Sequence, residues 1–174
     1  KYMKVLITGV AGFIGFHLAK KLLKLNYNII GIDNLNNYYD ITLKKDRLKI
    51  LQVFAKKNRK KFQFISTDIN KEKKMNQIFL KNKFSIVFHL AAQAGVRFSI
   101  KNPNQYFNSN IIGFYKILNL SKKYKIKNLL FASSSSVYGN SKIFPSTENS
   151  NTDSPISFYA ASKKTNEVMA YAYA

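Results

Sequence analysis

Residues Val5-Leu6-Ile7-Thr8-Gly9-Val10-Ala11-Gly12-Phe13-Ile14-Gly15 decide how the rest of the chain is read. Three apolar residues suited to a buried strand run into three glycines at three-residue spacing. Beyond them Ile14, Leu18 and Leu22 recur at helical steps, with Lys20, Lys21 and Lys24 left for water. A turn of this kind can cradle phosphate. Without a Cβ the backbone turns tightly at Gly9 and approaches a pyrophosphate near Gly12, and Gly15 lets helix and strand pack closely. The opening helical N–H groups, at Phe13 and Ile14, then meet the negative charge. Glycines alone also build plain loops, so the next strand carries the decision.

Outward from this turn, short apolar runs alternate with longer amphipathic ones, the pattern of strand-helix-strand units in an α/β parallel sheet. Strands are expected at 5–7, 29–32, 62–65, 86–90 and 129–132, all apolar enough for burial on both faces. Helices are expected over 43–54, 75–80 and 104–124, the last carrying Ile111, Tyr115, Leu118 and Lys122 at helical steps. A final helix over 158–173 begins after Pro155 and meets no stop signal, so the chain reads as cut rather than finished. The stretch 141–157, rich in Ser, Asn, Thr and Pro, is the least structured.

The length of 174 residues suits one domain with a real core, and 46% apolar and 14% aromatic residues are too many for a disordered chain. No apolar run approaches the roughly 18 residues of a membrane span, so no membrane partner is expected. Zero cysteines exclude disulfides, thiolate metal sites and a cysteine nucleophile. No charged-then-apolar leader precedes Met3, so the expected address is cytoplasmic. The net charge of +21 raises nucleic acid as a partner. Against it, arginine occurs at 47, 59 and 97 alone, and the lysines are scattered apart from one run, Lys56-Lys57-Asn58-Arg59-Lys60-Lys61. The wealth of Lys, Asn, Ile, Phe and Tyr resembles translation of an AT-rich genome; the charge reads as solvated surface, with no nucleic-acid partner. His17 and His89 stand alone without carboxylates at ligand spacing, so both read as structural and no metal is expected.

The second strand ends at Asp33, on the order of 20 residues after the glycines, where a carboxylate can accept both hydroxyls of an adenosine ribose. The cofactor is then NAD rather than NADP, since a 2′-phosphate would face an unpaired carboxylate with no adjacent arginine to offset it. Asp68 has a choice between capping a turn and bonding the adenine amino group. Tyr159 and Lys163 stand four residues apart on one helical face, where the ammonium favours the phenolate of a group whose ordinary pKa is about 10. Ser133-Ser134-Ser135-Ser136 follows the fifth strand, at the edge where open parallel sheets take ligands; the run is either a polar loop or a source of hydroxyls for a reacting oxygen.

Together these residues resemble an extended short-chain dehydrogenase/reductase of the NAD-dependent sugar-nucleotide epimerase and dehydratase group. The resemblance implies a Rossmann-type doubly wound sheet over 1–174 that carries the Tyr/Lys pair, cut before a C-terminal sugar-nucleotide domain. Gly9, Gly12 and Gly15 match the glycine motif, Asp33 the ribose acid, Asp68 and Ile69 the adenine side, and Leu90, Ala91 and Ala92 the nicotinamide side. Tyr159 and Lys163 match the catalytic pair and Ser134 the catalytic Ser/Thr, with Ser135 beside it on the substrate; Asn110 matches a structural or cofactor-proximal Asn.

The stretches Asp33-Asn34-Leu35-Asn36-Asn37-Tyr38-Tyr39-Asp40, Leu43-Lys44, Asp46-Arg47-Leu48 and Ala91-Ala92-Gln93-Ala94-Gly95-Val96-Arg97 resemble UDP-glucuronate 4-epimerases more than other members. Related dehydratases resemble a pattern with Asp and Glu where Ser135 and Ser136 stand, because eliminating water needs an acid and a base. The resemblance therefore implies 4-epimerisation of a UDP-sugar, UDP-glucuronate to UDP-galacturonate, through a transient 4-keto sugar. In it Tyr159 is the base, Lys163 lowers the phenol pKa and Ser134 holds the reacting oxygen. Arg97 reaches a substrate phosphate or carboxylate, or else forms a surface ion pair. The family implies a homodimer for the full-length protein, and 1–174 alone is expected to bind NAD but turn over little. UDP-galactose 4-epimerisation is the alternative within the group; a non-catalytic NAD- or nucleic-acid-binding protein is the alternative outside it.

Overall fold

The computed structural model describes residues 3–142 and 144–174, which gather into two compact units. The first runs up to Ala91 and includes Asn119–Phe131; the second comprises Ala92–Leu118 and Ala132–Ala174.

In the first unit five parallel strands stand in the order β3-β2-β1-β4-β5: β1 (Lys4–Thr8), β2 (Asn28–Asp33), β3 (Phe62–Ser66), β4 (Ile86–His89) and β5 (Asn128–Phe131). Helices α1 (Phe13–Lys24), α2 (Ile41–Lys57) and α3 (Glu72–Asn82) form the early crossovers. Strand side chains alternate, so Val5, Ile7 and Ile29 join one core with Ala19, Leu23, Leu48 and Leu51 from α1 and α2. Leu6, Ile30, Ile32 and Val87 are buried on the opposite face. This is a Rossmann-type doubly wound sheet, and its order reverses at β1. The connections from β1 and β4 leave in opposite directions, which opens a crevice beyond their carboxyl ends.

Three details differ from the sequence expectation. On α1 the buried side is Gly15, Phe16, Ala19, Leu22 and Leu23, while Ile14 is 61% exposed, because Ile14 opens the helix at the rim of the turn. The outer strands β3 and β5 are not buried on both faces: each has one strand neighbour, and Leu130 is 46% exposed. Leu90 and Ala132 lie just past the ends of β4 and β5, where the ladder stops.

The second unit holds α4 (Val96–Lys101), α5 (Pro103–Tyr106), a π-helical turn (Phe107–Ile112), the start of α6 (Gly113–Lys123), a 3-10 turn (Ser135–Tyr138) and α7 (Phe158–Tyr173). The expected helix over 104–124 is thus three segments. The π-helical turn shifts the phase of the chain, so Asn110, Phe114, Ile117 and Ser121 are buried, and Tyr115 and Lys122 face water. Helix α7 has the expected bounds, and Ser157 caps it by accepting from the Ala160 N–H at 3.1 Å. Among the described residues of 141–157 there is no helix or strand; residue 143 lies outside the described residues. No helix among the described residues is long and apolar enough to cross a membrane.

The two faces of α2 supply a stability test. Leu51 is fully buried and Val53 is 58% exposed. Leu51→Ala is expected to lower unfolding free energy by about 2–5 kcal/mol and Val53→Ala by about 0.5 or less, read from urea melts.

Candidate functional site

The glycine turn closes the carboxyl end of β1. Gly9 has φ +71°, and a Cβ there would lie 2.7 Å from both the Ala91 nitrogen and the Leu90 carbonyl carbon. A Cβ on Gly15 would lie 2.2 Å from the Gly9 oxygen, so α1 comes down onto the turn itself. Gly12 is the cap residue of α1 and supplies no side-chain hydrogen bond, which leaves the first N–H groups of the helix for an anion. Thr8 locks the floor. Its fully buried Oγ1 lies 2.9 Å from His89 Nδ1 and accepts from Leu90 N (3.2 Å) and Ala91 N (3.1 Å). His89 is thereby a structural partner. Sequence reasoning missed Thr8, whose bonds reach more than 80 residues along the chain.

Asp33 ends β2, buried, and its carboxylate ties three segments together. Oδ2 accepts from the Ala11 N–H in the glycine turn (3.1 Å), and Oδ1 accepts from the Leu35 N–H (2.9 Å). Each oxygen keeps a further lone pair for a hydroxyl. Asp68 accepts from the Asn70 N–H (2.8 Å) and from Asn34 Nδ2 (2.9 Å), so it does cap a turn and also joins the loops after β2 and β3; Ile69 beside it is buried.

One expectation is corrected here: cations do stand near Asp33. Asp40 caps α2 through Thr42, whose bonds hold its carboxyl below the usual range. The helix then brings in Lys44 and Arg47. Lys44 is buried with Nζ on the Asn36 oxygens (2.8 and 2.7 Å) and lies over the Tyr39 ring. Burial pushes its ammonium below the usual lysine range although Asp33 pulls the other way. Tyr39 packs against these cations, and its hydroxyl lies 3.9 Å from where a Gly12 Cβ would be.

In the second unit α7 carries the phenol and ammonium. Lys163 is buried, and its Nζ donates to the Ala132 carbonyl (3.0 Å), two residues before Ser134. Burial lowers its pKa to about 8. Tyr159 is half-buried, its ring edge-on to that of the buried Tyr106 (centroids 6.1 Å apart). Ser134 Oγ accepts from the Ser136 N–H (3.2 Å), which keeps the 3-10 turn wound and spends one lone pair but not the hydroxyl proton. Ser135 is exposed. Ser133 donates to Glu167 Oε1 (2.5 Å), a carboxylate the sequence pattern did not reveal.

Behind this helix face lies a buried polar clamp. Asn110, 1% exposed, accepts from the Gln93 N–H (2.7 Å) and donates to the Gln93 carbonyl (3.0 Å) and to Ser162 Oγ (3.1 Å). Ser162 donates to the Tyr159 carbonyl (2.7 Å), and Asn166 donates to the Asn110 carbonyl (2.7 Å). Asn110 is therefore the brace that sets α7 against the segment after Ala92. Ser162 and Asn166 join it from more than 50 residues away, which no local pattern signals. Arg97 is exposed on α4, and the ion pair among the described residues is Lys164 with Glu167 (3.9 Å), not one to Arg97. No group of three or more metal-ligating side chains occurs among the described residues.

Comparison with known proteins adds to this geometry. The family model described as GDP-mannose 4,6 dehydratase matches residues 6–174. Protein CapI of Staphylococcus aureus is 48% identical over 171 residues, covering 98% of this chain and 49% of that protein. A UDP-glucuronate 4-epimerase of Thermodesulfobacterium geofontis is 44% identical over 168 residues, covering 97% and 50%. Among solved structures, a UDP-glucuronic acid 4-epimerase from Bacillus cereus in complex with UDP-glucuronic acid and NAD superposes with a TM-score of 0.87 at 34% identity, covering 98% of this chain and 52% of that one. The chain spans about half the length of the curated relatives it matches.

The lowered pKa of Lys163 fixes a sign for stability. Between about pH 8 and 10.5 the unfolded chain binds a proton that the folded one refuses, so this lysine destabilises the fold most below pH 8 and the penalty fades as pH rises to 10.5. Lys163→Met is expected to raise stability at pH 7 by up to roughly 3 kcal/mol relative to the parent, with the gap narrowing to about 1 kcal/mol by pH 10 in paired thermal melts.

Proposed function

The chain belongs to the family that the GDP-mannose 4,6 dehydratase model describes, and on that premise we propose that residues 1–174 are the cofactor-binding and base-carrying part of an NAD-dependent UDP-sugar 4-epimerase whose substrate is UDP-glucuronate. NAD, when bound, supplies a hydride acceptor that later gives the hydride back, so no net oxidation results. The remaining tasks fall to the chain.

Gly9 lets the turn lie against the Leu90–Ala91 backbone, Gly15 lets α1 come down onto the turn, Gly12 leaves the approach to the helix N-terminus without a side chain, and the N–H groups of Phe13 and Ile14 offer a pyrophosphate donors. Asp33 receives the ribose hydroxyls on its spare lone pairs. Asp68 and Ile69 border the adenine, and Leu90, Ala91 and Ala92 border the nicotinamide. Tyr159 as phenolate takes the proton of the sugar 4-hydroxyl as the 4-keto sugar forms and returns it to the opposite configuration. The Lys163 ammonium favours that phenolate, and Ser134 donates its free proton to the oxygen that alternates between alcohol and ketone. Arg97 and Ser135 contact the charged parts of the substrate. Asn110 acts through α7, whose register it holds.

The observation that carries this reading is the Lys163 bond to the Ala132 carbonyl, which joins the Tyr159 helix to the serine turn within one unit. Epimerisation rather than loss of water is supported by hydroxyls at 135 and 136. The nearby carboxylate, Glu167, is already engaged by Ser133 and Lys164. Glucuronate as the sugar is supported by the relatives that bear that name. The same reading makes the whole protein a cytoplasmic homodimer without nucleic-acid partners.

Whole protein supplied with NAD is expected to convert UDP-glucuronate to UDP-galacturonate more efficiently than it interconverts UDP-glucose and UDP-galactose. The opposite ranking, by product chromatography, would reassign the sugar. Tyr159→Phe is expected to leave NAD binding intact and to cut epimerisation by about 10²–10⁴-fold; undiminished turnover would remove Tyr159 from the role of base.

A further inference from the structure

Arg47 has no role in the reaction described above, yet its guanidinium is held at the edge of the glycine turn. Its Nη1 donates to the Ala11 carbonyl (3.2 Å) and to the Tyr39 hydroxyl (3.2 Å), and its carbon lies 5.8 Å from the Phe13 ring centre and 5.9 Å from that of Tyr39. Ala11 is also the residue whose N–H bonds Asp33, so one residue links the guanidinium to the ribose acid. The Tyr39 hydroxyl that receives Arg47 stands over Gly12, at the point where the first N–H groups of α1 open.

Two explanations compete. Arg47 can be a strut that does no more than pin the 34–40 loop onto α1, as a half-buried arginine often does through its stem and stacking. What favours a ligand is charge. The two bonds use both protons of Nη1 and leave three N–H groups, and no carboxylate lies within 4.0 Å of the guanidinium among the described residues. A stacked, immobilised guanidinium whose remaining donors lack an anion suits bidentate phosphate recognition. Lys44, buried one helical turn away, adds positive potential on the same side.

We propose that Arg47 is a cofactor-binding residue that grips phosphate at the adenosine end of the glycine turn. The proposal rests on the reading of that turn as the NAD cradle, and goes beyond it in two ways. Arg47 contributes to affinity for the dinucleotide. It also leaves Asp33 as the group that turns a 2′-phosphate away, since the cation needed to accept one is already in position.

Calorimetric titration of the whole protein separates the possibilities. Arg47→Gln is expected to weaken ADP and NAD binding by about tenfold or more while adenosine, which has no phosphate, binds as in the parent. A mere strut would lower adenosine and ADP affinity alike, and that result overturns the proposal. Asp33→Ser is expected to bind NADP at least about tenfold more tightly than the parent does, and Asp33→Ser/Arg47→Gln to lose that gain; a double variant that keeps it also overturns the proposal. Arg47→Lys, which keeps the stem and the charge but not the planar fork, serves if Arg47→Gln perturbs folding: it is expected to weaken ADP binding while adenosine binds as in the parent, and equal loss of both overturns the proposal. Should the parent bind neither NAD nor ADP, the cradle reading itself fails and takes this proposal with it, whereas parent binding that Arg47→Gln leaves untouched sinks the proposal alone.

Discussion

The backbone of Gly9 lies so close to the Leu90–Ala91 peptide that no side chain fits between them, and the ligand-facing geometry of the first unit follows from that approach. β1 and β4 must pair in register up to Thr8 and His89 for the two loops to meet. Thr8 then spends its hydroxyl on the histidine and on both loop N–H groups, so the contact is satisfied rather than strained. From there α1 is forced down onto Gly9, its uncapped N-terminus faces outward, and Ala11 comes within reach of Asp33. A bulkier residue at 9 or 15 would displace backbone, not a yielding side chain, which is why this turn tolerates so little.

The second unit solves a different problem, holding a polar helix face in a buried setting. Ser162, Lys163 and Asn166 are all buried on α7, and burying them costs free energy unless each finds a partner. The partners are the Asn110 side chain and three main-chain carbonyls, those of Asn110, Tyr159 and Ala132, and the Asn110 side-chain amide both accepts from and donates to Gln93 while bonding Ser162. The π-helical turn that contains Asn110 makes this possible by rephasing the helix so that an amide, and not an apolar residue, meets α7. Lys163 retains a cost, visible in its lowered pKa, and a buried ammonium destabilised in this way is one that gains from a neighbouring anion. The chemistry proposed for α7 would place such an anion one helical turn away, at Tyr159.

Much of this was legible in the residues. The apolar runs, the glycine spacing, the acid after the second strand and the Tyr/Lys step are all local patterns, set by the period of two along a strand and about 3.6 along a helix. The alternation of strands and helices, the bounds of α7, the tight glycine turn and the candidates for acid and base therefore follow from the residues alone. The sequence could not supply the buried side of α1, the break in the 104–124 helix or the exposure of β5, because those depend on which neighbours pack against each element. That Thr8 floors the turn, that Asn110 clamps α7, that Glu167 answers Ser133 and that Arg47 stands beside Asp33's loop follows from the fold. Each of those is a contact between segments distant in the chain, and a hydrogen bond depends on where two groups meet in space, which sequence spacing does not record.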